Sequence, residues 1–222
     1  MAQLDFSRTV IVFDLDDTLY KEADYENSGL IEVCKWIDDI YQVNITSQLE
    51  KIKKQNQSDV LDAIIRLSEL SQEIKESLLW IYRLHSPEIS LRKEVKNLPS
   101  QLENLCSAVV ILTDGRSISQ RKKLKALGIS HLRAYISEEF SSQKPSPLRY
   151  EIIMRDFPAS TYVYVGDNPR KDFLAPKSLN WKTIGLRGDE RNIHSQSCID
   201  LQDEHLPDFW INQLEELLDL QC

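Results

Sequence analysis

The chain has 222 residues, of which 41% are hydrophobic and 28% charged, with a formal net charge of -8. That length holds one large domain, or a core domain with a smaller insertion, and it suffices to bury a substantial core. The acidic balance argues against nucleic acid as a partner, and apolar runs such as Val109–Leu112 are far too short to span a membrane.

Nothing at the start of the sequence reads as a secretory signal, because no basic segment leads into a long apolar one. Cys34, Cys106, Cys198 and Cys222 form no C-x-x-C pair and no zinc or disulfide spacing. Scattered thiols fit a reducing cytoplasm. The first element is Thr9–Phe13, a short β-branched apolar run that predicts a buried strand. It runs into three carboxylates, in Asp14-Leu-Asp-Asp-Thr18. From about Ser28 to Val95 the chain is rich in Lys and Glu, with apolar residues at helical spacing (Leu30, Ile31, Cys34, Ile37; Val60, Leu61, Ile64, Ile65; Ile74, Leu78, Leu79, Ile81), which predicts a small helical bundle.

Strand character returns at Ala108–Leu112, followed by Thr113-Asp-Gly115. A basic helix is expected over Ser119–Leu127, ending at Gly128 in the position after the cap. Ala134–Ile136 reads as a short strand, Pro147–Arg155 as a helix with proline at its start, and Thr161–Val165 as a strand ending at Gly166-Asp-Asn-Pro169. Trp181–Leu186 is expected to be the last strand, Gly188–Leu206 a surface loop, and Asp208–Leu220 a closing amphipathic helix. Strands alternating with helices predict an α/β fold: a Rossmann-like parallel sheet with helices on both faces. The expected division is a core of 1–27 with 96–222, and a helical insertion of 28–95.

The polar signatures share one placement. Asp14 and Asp16, Thr113, and Asp167 each follow an apolar strand closely. Ligands of open α/β sheets bind beyond the carboxyl ends of the strands, so these groups are expected to converge on one edge. Asp14, Asp16 and Asp167 are hard oxygen ligands suited to Mg²⁺. Asp172 is placed to hold a metal-bound water or to support the ligands. Lys144 supplies a cation, while Thr113 offers a hydroxyl, and Asp114 beside it a main-chain N–H, to a phosphate oxygen. Asp14 suits a nucleophile, and Asp16 a group that protonates the leaving oxygen and then deprotonates water.

With these motifs in order, the chain resembles the haloacid dehalogenase-like hydrolases, in their phosphatase branch with a helical cap. The matching motifs are Asp14-Leu-Asp-Asp-Thr18, Thr113 after its strand, Lys144 before Pro145, and Gly166-Asp-Asn-Pro-Arg-Lys-Asp172. The resemblance implies that Asp14 is the nucleophile and Asp16 the general acid and base. It implies that Asp14, the Asp16 carbonyl and Asp167 hold Mg²⁺, and that Thr113 and Lys144 bind the phosphoryl group. Members that dehalogenate lack an aspartate two residues after the nucleophile, so Asp16 points to phosphate ester hydrolysis. The implied partner is a small phosphorylated metabolite. A phosphomutase using the same phospho-aspartate and a non-catalytic binding protein on this scaffold stay open, and substrate and oligomeric state are not legible.

Other polar residues have structural explanations. Asp17 reads as a structural hydrogen bonder, Arg121-Lys-Lys123 as a solvated helix face, and His131, His194 and His205 as bystanders. Arg83 and His85, near a predicted helix end, are candidates to reach a substrate, against the simpler reading of cations at a helix C-terminus.

Overall fold

The computed structural model describes residues 4–55 and 59–220, with backbone alone at 55 and 94; Cys222 lies outside the described residues. It contains a six-stranded sheet in the order β3-β2-β1-β4-β5-β6, formed by β1 (Thr9–Phe13), β2 (Ala108–Thr113), β3 (Arg133–Ile136), β4 (Thr161–Gly166), β5 (Lys182–Leu186) and β6 (Phe209–Ile211). Every pairing is parallel. Parallel strands need crossovers, and these carry helices. They are α5 (Leu98–Leu105) before β2, α6 (Ser117–Ala126), the short α7 (Ser137–Phe140), α8 (Leu148–Asp156) and α9 (Leu174–Ser178). Four further helices, α1 (Glu22–Tyr41), α2 (Leu49–Gln55), α3 (Val60–Leu67) and α4 (Lys75–Leu84), lie between β1 and α5 in the chain.

The chain divides into two compact units. One is Met1–Ala23 with Ser90–Cys222, and the other is Asp24–Ile89. The helical unit has its own core, built on Leu30, Val33, Ile37, Ile64, Ile65 and Leu78. In the sheet unit, β1 is buried along its whole length, as a central strand covered on both faces must be. Val10 and Val12 pack with Tyr150 and Ile153 of α8 and with Ala175 of α9 on one face. Right-handed crossovers put α5 and α6 on the opposite face, because the strand order runs the other way from β1.

The C-terminal segment differs from expectation. Asp208–Leu220 is not a helix: Phe209–Ile211 forms the edge strand β6 against β5, so Trp181–Leu186 is not the last strand, and a 3₁₀ stretch follows over Leu214–Leu220. Three aromatic and β-branched residues in a row favour a pleated edge. Leu214, Leu217 and Leu220 are all buried, and a spacing of three lines up one face of a 3₁₀ turn as readily as one side of an α-helix.

Candidate active site

The sheet order reverses between β1 and β4, and at such a switch point two neighbouring strands open a crevice at their carboxyl ends. The register pairs Phe13 with both Ile111 and Val165, so Asp14, Thr113 and Asp167 emerge within one residue of each other. Asp14 extends the ladder by one bond, its N–H donating to the Val165 oxygen at 2.8 Å. A cleft of about 300 Å³ opens there, lined by Asp14, Thr113, Lys144, Asp167, Asp172 and His194, among others. His194, expected to be a bystander, therefore faces the site.

Lys144 is the positive centre. Its Nζ donates to Asp14 Oδ1 at 2.8 Å, to Asp172 Oδ1 at 2.7 Å and to the Tyr164 hydroxyl at 3.1 Å. Asp172 is fully buried and also accepts the Asn168 N–H at 2.8 Å and the Tyr164 hydroxyl at 3.2 Å. Gly166 makes room for it, since a Cβ there would lie 2.5 Å from Asp172 Oδ2. Asp14 Oδ2 accepts no hydrogen bond from the described residues. Asp167 Oδ2 accepts from Asn192 Nδ2 at 2.9 Å, and its main-chain oxygen from Gln196 Nε2 at 2.7 Å. The segment read as a plain surface loop thus supports the site through Asn192 and Gln196. Asp17 takes the structural part expected of it: at φ 55° it accepts the N–H groups of Glu22 and Ile193.

Asp16 is held apart from this cluster. Its carboxylate accepts from Lys123 Nζ at 2.7 Å, from Gln120 Nε2 at 2.9 Å and from the Tyr20 hydroxyl. Burial works to raise its pKa, but the Lys123 ammonium and these donors outweigh burial and hold it below the usual carboxylate range. Lys123 is buried, so the reading of Arg121-Lys-Lys123 as a solvated face fails at its third residue. The turn of α6 that exposes Arg121 points Gln120 and Lys123, three apart, inward. That spacing was the one available signal for them; Tyr20, Tyr164 and Arg149 carried none.

Thr113 Oγ1 accepts from Gln120 Nε2 at 2.6 Å. The Asp114 side chain is committed elsewhere, pairing with Arg149 and accepting the Lys144 N–H at 3.1 and 3.3 Å, so of Asp114 only the main-chain N–H suits a phosphate. Arg83 and His85 have partners within the helical unit. Arg83 lies over the Trp80 ring at 5.5 Å, and His85 Nδ1 is 2.5 Å from the Tyr82 oxygen.

Asp14, Asp167 and Asp172 each bring a carboxylate oxygen within 4.8 Å of the others. Three carboxylates face one ammonium, two negative charges in excess. Burial is the main cause that pushes Asp14 up to about 7 and Asp167 up to about 8, with their acidic neighbours adding to it. A buried, all-oxygen set short of two positive charges fits a hard divalent cation.

A sequence model of haloacid dehalogenase-like hydrolases matches residues 11–186, and the chain belongs to that family. A glyceraldehyde 3-phosphate phosphatase from Methanocaldococcus jannaschii is 29% identical over 95% of each chain. Among solved structures, a 2-haloacid dehalogenase from Pseudomonas syringae superposes with a TM-score of 0.63 at 19% identity, covering 96% of this chain and 97% of that one. A predicted phosphoglycolate phosphatase from Haemophilus somnus gives 0.64 at 19% identity, covering 95% and 96%. Those two likenesses establish the fold. Within the family this chain is a hydrolase of the phosphatase branch. Among the described residues, no helix is long and apolar enough to cross a membrane.

Proposed function

We propose that this protein is a Mg²⁺-dependent phosphatase that hydrolyses a small phosphorylated metabolite through a phospho-aspartate on Asp14. The observation that carries this reading is a buried Asp14 at the sheet's switch point, with one oxygen on Lys144 and a carboxylate oxygen within 4.8 Å of one from Asp167. Asp14, the Asp16 main-chain oxygen and Asp167 would hold the ion. When bound, Mg²⁺ supplies positive charge that offsets the carboxylates and the incoming phosphate.

Thr113, through its hydroxyl, the Asp114 N–H and Lys144 bind and orient the phosphoryl group. The Asp14 carboxylate attacks phosphorus in line through the oxygen that would not hold the ion, and the bond from phosphorus to the ester oxygen breaks. Asp16, once turned from Lys123 and protonated, gives its proton to the leaving oxygen. It then takes a proton from water, whose oxygen attacks the phospho-aspartate and releases inorganic phosphate and Asp14. Asp172 keeps Lys144 aimed at Asp14. The helical unit is assigned the part of a cap that selects the substrate, and the cytoplasm is the assigned compartment.

The test is phosphate release from a panel of phosphorylated metabolites headed by glyceraldehyde 3-phosphate, the compound on which the archaeal relative acts by name. Wild type should release phosphate with Mg²⁺ and not with EDTA. Asp14→Asn should lose more than about a thousandfold in turnover. Metal-dependent turnover that survives Asp14→Asn would exclude the mechanism, and isomerisation of the substrate without phosphate release would identify a mutase.

A further inference from the structure

Arg149, in the first turn of α8, is fully buried, and it does not line the cleft. Its guanidinium joins the chain segments that bear the candidate phosphate contacts. Nη1 donates to the main-chain oxygens of Thr113 at 2.8 Å and Tyr135 at 3.1 Å. Nη2 pairs with the Asp114 carboxylate, which in turn accepts the N–H of Lys144. One side chain thereby links the ends of β2 and β3 to the backbone of Lys144.

Burying such a charge is a costly way to fill space. A hydrophobic side chain of similar volume packs an interior as well or better, and Arg149 Nε still has no hydrogen-bond partner among the described residues. What a guanidinium offers and an alkyl chain does not is a rigid fork that fixes several acceptors relative to one another. Here those acceptors lead to Thr113 on one side and, through Asp114, to Lys144 on the other. We propose that Arg149 and Asp114 form a clamp that sets the spacing of Thr113 and Lys144, acting as positioning residues for phosphoryl transfer; the inference rests on the reaction proposed above. Small misplacements of such groups cost rate more than affinity, since alignment matters most in the transition state.

The experiment compares wild type with Arg149→Lys, Arg149→Met, Asp114→Asn and the Arg149→Met/Asp114→Asn double variant. Each is assayed with Mg²⁺ and p-nitrophenyl phosphate. Orthovanadate, which mimics the five-coordinate phosphorus, is titrated into each by calorimetry, and circular dichroism measures the folded fraction. Each variant should lose about tenfold to a hundredfold in kcat per folded molecule with KM nearly unchanged. Orthovanadate affinity should fall in parallel. The double variant should be no slower than the slower single one, because both changes dismantle the same unit. Arg149→Lys, which keeps the charge and loses the fork, should lose rate as well. Wild-type kcat per folded molecule in the variants would overturn the clamp. A wild type that binds orthovanadate without turnover, with the variants losing that binding, would keep the clamp and reject the hydrolysis. A wild type that does neither would remove both.

Discussion

Lys144 shows how one side chain holds the site together. With less than a tenth of its surface exposed, it sits between Asp14 and Asp172, and their charges keep its pKa well above the ordinary value although burial opposes this. Removing one partner of a buried ion pair is harsher than removing all of it, because the remaining charges stay desolvated. Lys144→Met should therefore abolish turnover and destabilise the protein by about 3–5 kcal/mol near pH 8. At pH 5 the loss should be smaller, since the stranded carboxylates can then take up protons. Chemical denaturation at the two pH values checks this; an equal loss at both would mean that charge is not the cause. Lys123 makes the corresponding contact with Asp16. Two buried lysines thus hold the two aspartates in separate environments, which is how neighbouring carboxylates come to differ in their chemistry.

At the scale of elements, β4 ends at Gly166 and β5 passes through Gly185, the two being paired in register. Both glycines make room for a close neighbour. A Cβ on Gly185 would lie 2.5 Å from the Trp210 ring of β6 and 2.7 Å from Pro207. Gly185→Ala should destabilise the protein by about 1–3 kcal/mol through overpacking. With Mg²⁺ saturating, kcat per folded molecule should stay at the wild-type level, since β6 supplies no group to the cleft. Thermal melting and steady-state kinetics separate the two effects. The same contact explains why Phe209–Ile211 is a strand. Trp210 over a bare glycine is seated only by the parallel edge pairing, a long-range packing that a local helical pattern does not reveal.

For the whole molecule, the carboxylates buried together at the switch point are the acidic groups that most affect how stability changes with pH. Burial raises Asp14 to about 7 and Asp167 to about 8, against 3.8 in the unfolded chain. Between those values the folded state binds more protons than the unfolded state, so stability falls as pH rises. In EDTA, the melting temperature should therefore decline from about pH 5 to pH 8. Mg²⁺ binds the ionised folded site and stabilises it by mass action, so its effect on melting should be largest at pH 8 and small at pH 5. A Mg²⁺ effect independent of pH would place the ion elsewhere.

Five of the six strands, their alternation with helices and the strand-end motifs were legible from residues alone. A buried parallel strand must be a short, continuously apolar run, and a polar residue directly after it must stand at the sheet's edge. Asp14, Thr113 and Asp167 stood out as candidates for that reason, and Lys144 and Asp172 through their places in the motif order. Which groups surround them was not. Tyr164, Lys123, Gln120 and Arg149 are ordinary residues of a strand or helix until the fold turns them toward a lysine, an aspartate or a carbonyl 20 or more residues away in the sequence. The hydrophobic pattern states that a face is buried and not what it meets. The local order of residues therefore determined the fold class and marked the candidate reacting groups, while the partners that set their charge and spacing were decided by tertiary packing.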